Sequence, residues 1–540
     1  MTITSNGVIS VVLVCLSFGL LSACGGGSSS GSAPVSTTRP VNQIGNANNW
    51  QSGVFAPASD FINLCENPRI GIDPTTSNNY PDEQGTTTDE NNWLRSMTND
   101  LYLWYDEVPD VNPALYSSTE DYFDLLVTDA TTPSGAFKDQ FHFTYPSEEW
   151  FNITQGGVSA GYGAEFALIR ADPPREIVVA YTQPNSPATD VGITRGARVI
   201  SVDGEPVSTG DTDILNAAVF PDEIGVSHQF EIQDLGSTTR RVVTMVSQDV
   251  TTIPVQNVKT ISTATGNVGY LTFNDHIATA EQGLIDAVNQ LAADNISDLV
   301  IDLRYNRGGF LYIASQLSYM IAGPANTAGK DFERLVFNDK HPSINPVTGR
   351  ALGPRPFYNA TSASQPTGLP TLNLNRVFIL SGSDTCSASE SIINGLRGID
   401  IDVYQIGTTT CGKPYGFYEM PNCGTSYFTI MFRGDNAKGF GDYADGFAPQ
   451  NTIEGVGTLL PGCTVADDFT HQLGDENERK LAGALSYRAQ LESTGTASCN
   501  SISTFPAPII SGLAKSSGID LSAVNARLPK PKGIEGRILR

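Results

Sequence analysis

Residues 376–396 read RVFILSGSDTCSASESIINGL, an apolar run, a Gly/Ser-rich turn and the opening of a helix in immediate succession. The apolar run has strand length, and the small polar residues 381–387 punctuate it as a turn. A second apolar run, residues 403–406, leads into Gly412 and Lys413. A strand–helix–strand order of this kind predicts an α/β core. It also constrains chemistry, because a hydroxyl at the start of the helix lies beside unpaired N–H groups and the positive end of the helix dipole. If the two strands are neighbours, Lys413 approaches that serine.

Serine is a weak nucleophile and needs a base, and lysine serves as one only when burial favours its neutral form. Ser387-Ala388-Ser389-Glu390 followed by Gly412-Lys413 resembles the S-A-S-E and G-K motifs of the carboxyl-terminal processing (tail-specific) proteases. The resemblance implies that Ser387 is the nucleophile and Lys413 the base, in a serine–lysine arrangement that replaces the Ser-His-Asp triad. Taken singly, the serine cluster reads as a capped turn and the lysine as a solvated charge. Motif, order and spacing together turn the reading to catalysis. Residues 302–309, DLRYNRGG, resemble the family's D-L-R-x-N-x-G-G, with Arg307 where proline is more usual. The resemblance implies an oxyanion hole made by the N–H groups of Gly308 and Ala388, each worth about 3 kcal/mol to such a reaction. It requires no metal or organic cofactor. One departure stands out: Phe417 holds the position, four residues after the lysine, where many members carry an orienting glutamine. Residues 138–141, KDQF, resemble the family's K-D-R-F-S segment. The adjacent His142 is the one histidine held in reserve for a Ser-His mechanism and is expected at the surface.

Residues 156–250 resemble a PDZ domain. Gly161-Tyr162-Gly163-Ala164-Glu165-Phe166 resembles the loop that receives a peptide carboxylate, and Ser186-Pro187-Ala188, Gly192, Gly196 and Val202-Asp203-Gly204 follow in the family's order. Such a domain adds a peptide as an extra strand and reads its side chains in a pocket. Phe166 and Leu168 are candidate lining residues, and the implied partners are protein or peptide substrates with apolar carboxyl termini. A module that only gates the active site is the competing reading.

Residues 8–21 form an apolar run too short to span a membrane, followed by small residues and GGGSSSGS, the pattern of a secretory signal. Leu21-Ser22-Ala23-Cys24 resembles a bacterial lipobox, which implies cleavage before Cys24 and lipid attachment to its thiol. Gly25, rather than aspartate, after that cysteine points to an outer-membrane anchor in the bacterial cell envelope. The net charge of −25 argues against nucleic-acid partners.

The chain therefore reads as multidomain α/β: signal peptide 1–23, tether and surface segment 24–91, helical module 92–155, PDZ-like β-rich domain 156–250, and tail 491–540. Between the last two lies an α/β core of ClpP/crotonase type, residues 258–490. Trp93, Leu94, Met97 and Leu101 share one helical face in the second module. Residues 323–372, rich in Pro, Asn and Gly, read as an insertion or surface excursion, and residues 476–491 as a capped surface helix. Cys65, Cys386, Cys411, Cys423, Cys463 and Cys499 fit disulfides in an oxidising compartment. A Cys386–Cys411 bond would clamp serine to lysine, with a Cys411–Cys423 hairpin bond as the alternative. The whole predicts an exported serine endopeptidase working through an acyl-enzyme. Its rival is a non-catalytic, peptide-binding envelope scaffold, favoured by Arg307 and Phe417 and opposed by Ser387 and Lys413.

Overall fold

The computed structural model describes residues 50–221, 223–452, 455–500 and 502, and the backbone of 536–538. The signal-peptide and lipid-anchor readings, Cys24 included, and most of the tail lie outside the described residues.

Six strands make the central sheet: β1 (Val255–Thr263), β2 (Gly266–Phe273), β3 (Ile296–Asp302), β4 (Arg376–Ser381), β5 (Asp402–Gly407) and β6 (Gly462–Thr464), in that spatial order. All neighbours are parallel except β1 with β2. Strand side chains alternate between faces, and the sequence uses both. Leu271, Leu299, Ile301, Val377 and Ile379 face one cluster with α1 (Ala280–Ala293), α2 (Leu311–Thr327) and α3 (Ala388–Gly398). Tyr270, Val300, Phe378, Leu380 and Ile406 face the other, with Leu481, Ala484 and Tyr487 of α4 (Arg479–Thr494). Each fully buried aliphatic side chain contributes about 1.5–3 kcal/mol.

Helix α4 thus covers one face of the sheet, correcting the expected surface helix; its sequence hides this because Lys480 and Arg488 are buried with it. The excursion at 323–372 also needs correction. Helix α2 runs to Thr327 through a kink at Gly323, whose φ of +74° precedes Pro324, and Asp331–Phe337 is a strand paired antiparallel with Phe432–Asp435.

The helical module starts earlier than expected. Thr87–Leu101 is a helix whose N-cap, Thr86, forms a capping box with Asp89. Its buried Trp93, Leu94 and Met97 join the main core. Phe143–Pro146 pairs with Thr425–Phe428 of the core, and a Cys65–Cys423 disulfide ties the preceding segment to the same hairpin. Part of the expected tether is therefore stapled structure, and Cys423 is not bonded to Cys411.

Residues 158–251 carry their own core around Tyr162, Val179, Val199, Leu215, Phe230 and Ile232. Their antiparallel sheet has the order Arg241–Val246, Ser227–Gln233, Arg198–Val202, Glu176–Thr182, Ala164–Arg170. Ala164–Arg170 is its edge strand, and Val158–Gly161 pairs with Gln248–Thr251 where the chain enters and leaves.

Candidate active site

Strand β4 ends at Ser381, and the chain turns through Gly382–Cys386 into Ser387, the N-cap of α3. Ser387 has φ +55° and ψ −113°, a conformation that costs a non-glycine residue about 1–3 kcal/mol and needs its surroundings to impose it. Those surroundings are visible. The carboxylate of buried Glu390 accepts the Ser387 N–H at 2.9 Å and the Lys413 N–H at 2.8 Å on Oε2. On Oε1 it accepts the Gly412 N–H at 2.9 Å and the Thr410 hydroxyl at 2.5 Å. One carboxylate thus holds the serine elbow and the lysine turn together. Burial raises its pKa, against the pull of those donors. A Cys386–Cys411 disulfide, Cα–Cα 5.2 Å, ties the same two segments, and the Cys411 N–H donates to Thr385 O at 3.1 Å.

Ser387 and Lys413 are both fully buried. Ser387 Oγ has no hydrogen-bond partner among the described residues, so no bond joins it to Lys413 Nζ in this conformation. The Lys413 ammonium lies over two rings, 4.3 Å from the Phe141 centroid and 4.7 Å from that of Phe417.

The Asp302–Gly309 loop docks on the elbow. Thr385 Oγ1 donates to Leu303 O at 2.8 Å, and Ser389 Oγ to Asn306 O at 3.0 Å. Gly308 must be glycine: its φ is +101°, and a Cβ there would sit 2.8 Å from Ser387 Cβ and 2.9 Å from Ala388 N. Asn306 Nδ2 donates to Phe273 O at 2.8 Å, which leaves Oδ1 to accept Gly308 N–H at 3.0 Å and His276 Nδ1–H at 2.9 Å. The Gly308 N–H expected to face an oxyanion is therefore engaged by Asn306. Its neighbour points elsewhere. His276 N–H donates to Gly308 O and Phe310 N–H to His276 O, so the N–H and C=O of Gly309 face the opposite edge, where Gly536–Ile538 pairs in parallel. Ala388 supplies the first amide of α3 beside them.

His276, which no motif flagged, is fully buried, and burial pushes its pKa down to about 3, so it is neutral. His142 is half-buried rather than exposed: its ring stacks on Phe123 at 3.8 Å and Nε2 bonds Phe123 O at 2.9 Å. Arg307, the departure from proline, pairs with Asp384 at 3.4 Å. Asp302 and Arg304 lie beneath the site. Asp302 accepts from Arg304 Nε and Nη2 at 2.8 Å and from the Tyr270 hydroxyl at 2.9 Å. Arg304 continues to Glu478 at 2.8 Å and Asp467 at 2.7 Å.

The sequence-assigned peptide loop lies some way along the chain in the second sheet. Tyr162 is buried with its hydroxyl on Ala218 O at 3.2 Å, and Gly163 has φ +71°, with Ser186 so close that a Cβ would stand 2.3 Å from its side chain. Gly161 pairs with Gln248, and Phe166 meets Phe220 edge-on at 6.0 Å.

A mostly parallel sheet flanked by helices thus places a strained serine at a helix N-terminus and a buried lysine on the next strand's exit. Residues 267–421 match the model of Peptidase family S41, and residues 89–145 that of the Peptidase S41 N-terminal domain. The chain is 25% identical over 275 residues to a carboxyl-terminal-processing protease of Picosynechococcus sp., an alignment covering 50% of this chain and 58% of that protein's length. A solved structure from Bacteroides fragilis, described as an S41 protease, shares the fold with a TM-score of 0.56 at 22% identity, covering 74% of this chain and 97% of that one.

Proposed function

We propose that this chain is an exported serine endopeptidase that hydrolyses peptide bonds in proteins recognised near their carboxyl terminus. The observation that carries it is the single Glu390 carboxylate holding the backbones of Ser387 and Lys413 side by side. In this reading a rotation about the Ser387 side chain brings Oγ to Lys413 Nζ. Neutral Lys413 takes the proton as Oγ attacks the scissile carbonyl, then returns it to the leaving amine. The oxyanion meets the Ala388 N–H and the glycine turn. Gly308 contributes only by leaving Asn306, and the Gly309 N–H faces the edge on which Gly536–Ile538 pairs. Water then releases the acyl group by the same path.

Substrate capture is assigned to the Ala164–Arg170 edge strand, whose outer side has no neighbour in its sheet among the described residues and can take a peptide as an added strand. Gly161, Tyr162 and Gly163 would face the carboxylate, and Phe166 with Phe220 an apolar terminal side chain. Export and lipid anchoring through Cys24 at the outer membrane are part of the proposal, and three disulfides support an oxidising compartment.

The test is cleavage of an unstructured reporter with an apolar carboxyl terminus by the chain from residue 31, beside its Ser387→Ala variant. Cleavage by the parent and none by the variant is expected. If both bind the terminus and neither cleaves, the non-catalytic scaffold reading replaces this one.

A further inference from the structure

The surroundings of the Lys413 ammonium come from two distant parts of the sequence. Phe417 follows the lysine on the same excursion, while Phe141 belongs to the N-terminal module. Neither ring is loose. Phe417 is fully buried and packs 5.1 Å from Phe428 and 5.8 Å from Phe143; those two stack on each other at 4.4 Å, and Trp150 closes the group 4.5 Å from Phe428. Phe143 is held in register by the strand pair with Thr425–Phe428. Phe141 is set by its main chain: its N–H donates to Asp139 Oδ1 at 2.8 Å, and the other oxygen of that buried carboxylate accepts the Tyr102 hydroxyl at 2.8 Å. Tyr102 in turn caps the Thr87–Leu101 helix.

We propose that Phe141 and Phe417 form an aromatic clamp that positions the Lys413 side chain toward Ser387, so that the N-terminal module supplies a positioning residue of the active site. The inference rests on the reading of Lys413 as the base. It also explains why a phenylalanine can stand where the resembling proteases carry a glutamine. A ring face attracts an ammonium through its quadrupole and limits where Nζ can lie. Unlike a carboxylate, it carries no charge to be stranded when the lysine gives up its proton. A ring face therefore attracts Nζ while it is charged and limits by its bulk where the amine can lie once it is neutral.

The experiment places mono-, di- and trifluorinated phenylalanine at position 417, and separately at 141, in the full-length chain. Fluorination weakens the ring quadrupole with almost no change of shape. Reporter cleavage is followed as kcat and KM, with Ser387→Ala in parallel. A stepwise fall in kcat with added fluorine, reaching about tenfold at three and leaving KM unchanged, is expected from a desolvated ring–cation contact. A ring that merely fills space gives no graded response. A flat kcat across both series, with Ser387→Ala inactive, overturns the clamp alone. Cleavage that survives in Ser387→Ala, or that the parent chain lacks, overturns the base reading and the clamp with it.

Discussion

Two buried lysines in this molecule are kept in opposite ways. Lys480, at the start of α4, is 2% exposed; its Nζ donates to Ser381 O at 2.9 Å and stands 4.0 Å from Asp467 Oδ2. Burial lowers its pKa, and Asp467, Glu478 and Asp302 push back while Arg304 adds to the fall. Lys413 is 0% exposed and lies over two phenyl rings. A cation buried among carboxylates is a structural part, because losing its charge strands an anion. A phenyl ring carries no formal charge to strand when the lysine beside it loses its proton, although the ring–cation attraction goes with that proton. Under the proposed function, the difference separates a lysine that holds the sheet from the one that acts as the base.

The comparison breaks first on substitution. Lys413→Met is expected to cut reporter cleavage by at least about 1,000-fold, as removal of one member of a coupled catalytic unit does, while guanidinium unfolding stays near that of the parent. Lys480→Met reverses the pattern: stability falls by about 3 kcal/mol because Asp467 loses a partner, and cleavage per folded molecule persists. Glu390→Gln is intermediate. An amide cannot accept all four donors, so cleavage falls about 10- to 100-fold, the cost of one or two lost hydrogen bonds to a charged acceptor.

The pH dependence of stability sharpens the same contrast. Burial opposes ionisation of Asp467, but Lys480, Arg304 and Arg195 outweigh it and hold the carboxyl well below the usual range. Its contribution is present above the ordinary carboxylate pKa and is lost as pH falls through its own, so Asp467→Asn flattens the acid limb of unfolding free energy. Glu390 has the opposite sign. Its raised pKa makes stability greatest below the ordinary carboxylate value and declining as pH rises through the shifted one, a decline that Glu390→Gln removes. The smallest effect on cleavage belongs to the double variant Cys386→Ser, Cys411→Ser. Glu390 and the Cys411–Thr385 bond still join the two segments, so activity drops only a few-fold while stability falls by about 3 kcal/mol through the opened loop.

The elbow and the lysine turn were legible because both are local: a strand, a turn and a helix start announce themselves within a few residues, and the order of β4, α3 and β5 makes the strands neighbours. The serine and lysine could therefore be placed from the sequence, as could a Cys386–Cys411 bond among its alternatives. What holds them was not legible. Phe141 reaches Lys413 across more than half the core's sequence, and nothing in KDQF marks its ring as facing a lysine. Glu390 entered only as the last residue of the S-A-S-E motif, and three of its four donors are known only once Thr410–Lys413 folds back on it. The motif that names Gly308 states which residues meet, not which way a peptide group points; here Asn306 accepts its N–H. Asp331–Phe337 was hidden in a Pro- and Gly-rich stretch because its partner, Phe432–Asp435, lies far along the chain, and strand pairing at such separation leaves no local period.

Activation of Ser387 by Lys413 is the step on which the proposed function stands. The most direct measurement is intact-mass analysis after treatment with an alkyl fluorophosphonate, in which Ser387 Oγ bonds to phosphorus, fluoride leaves and Lys413 takes the hydroxyl proton. One adduct, mapped to Ser387 in the parent chain and missing from a folded Lys413→Met variant, is the predicted result. No adduct in the parent, or equal labelling of both, would contradict it.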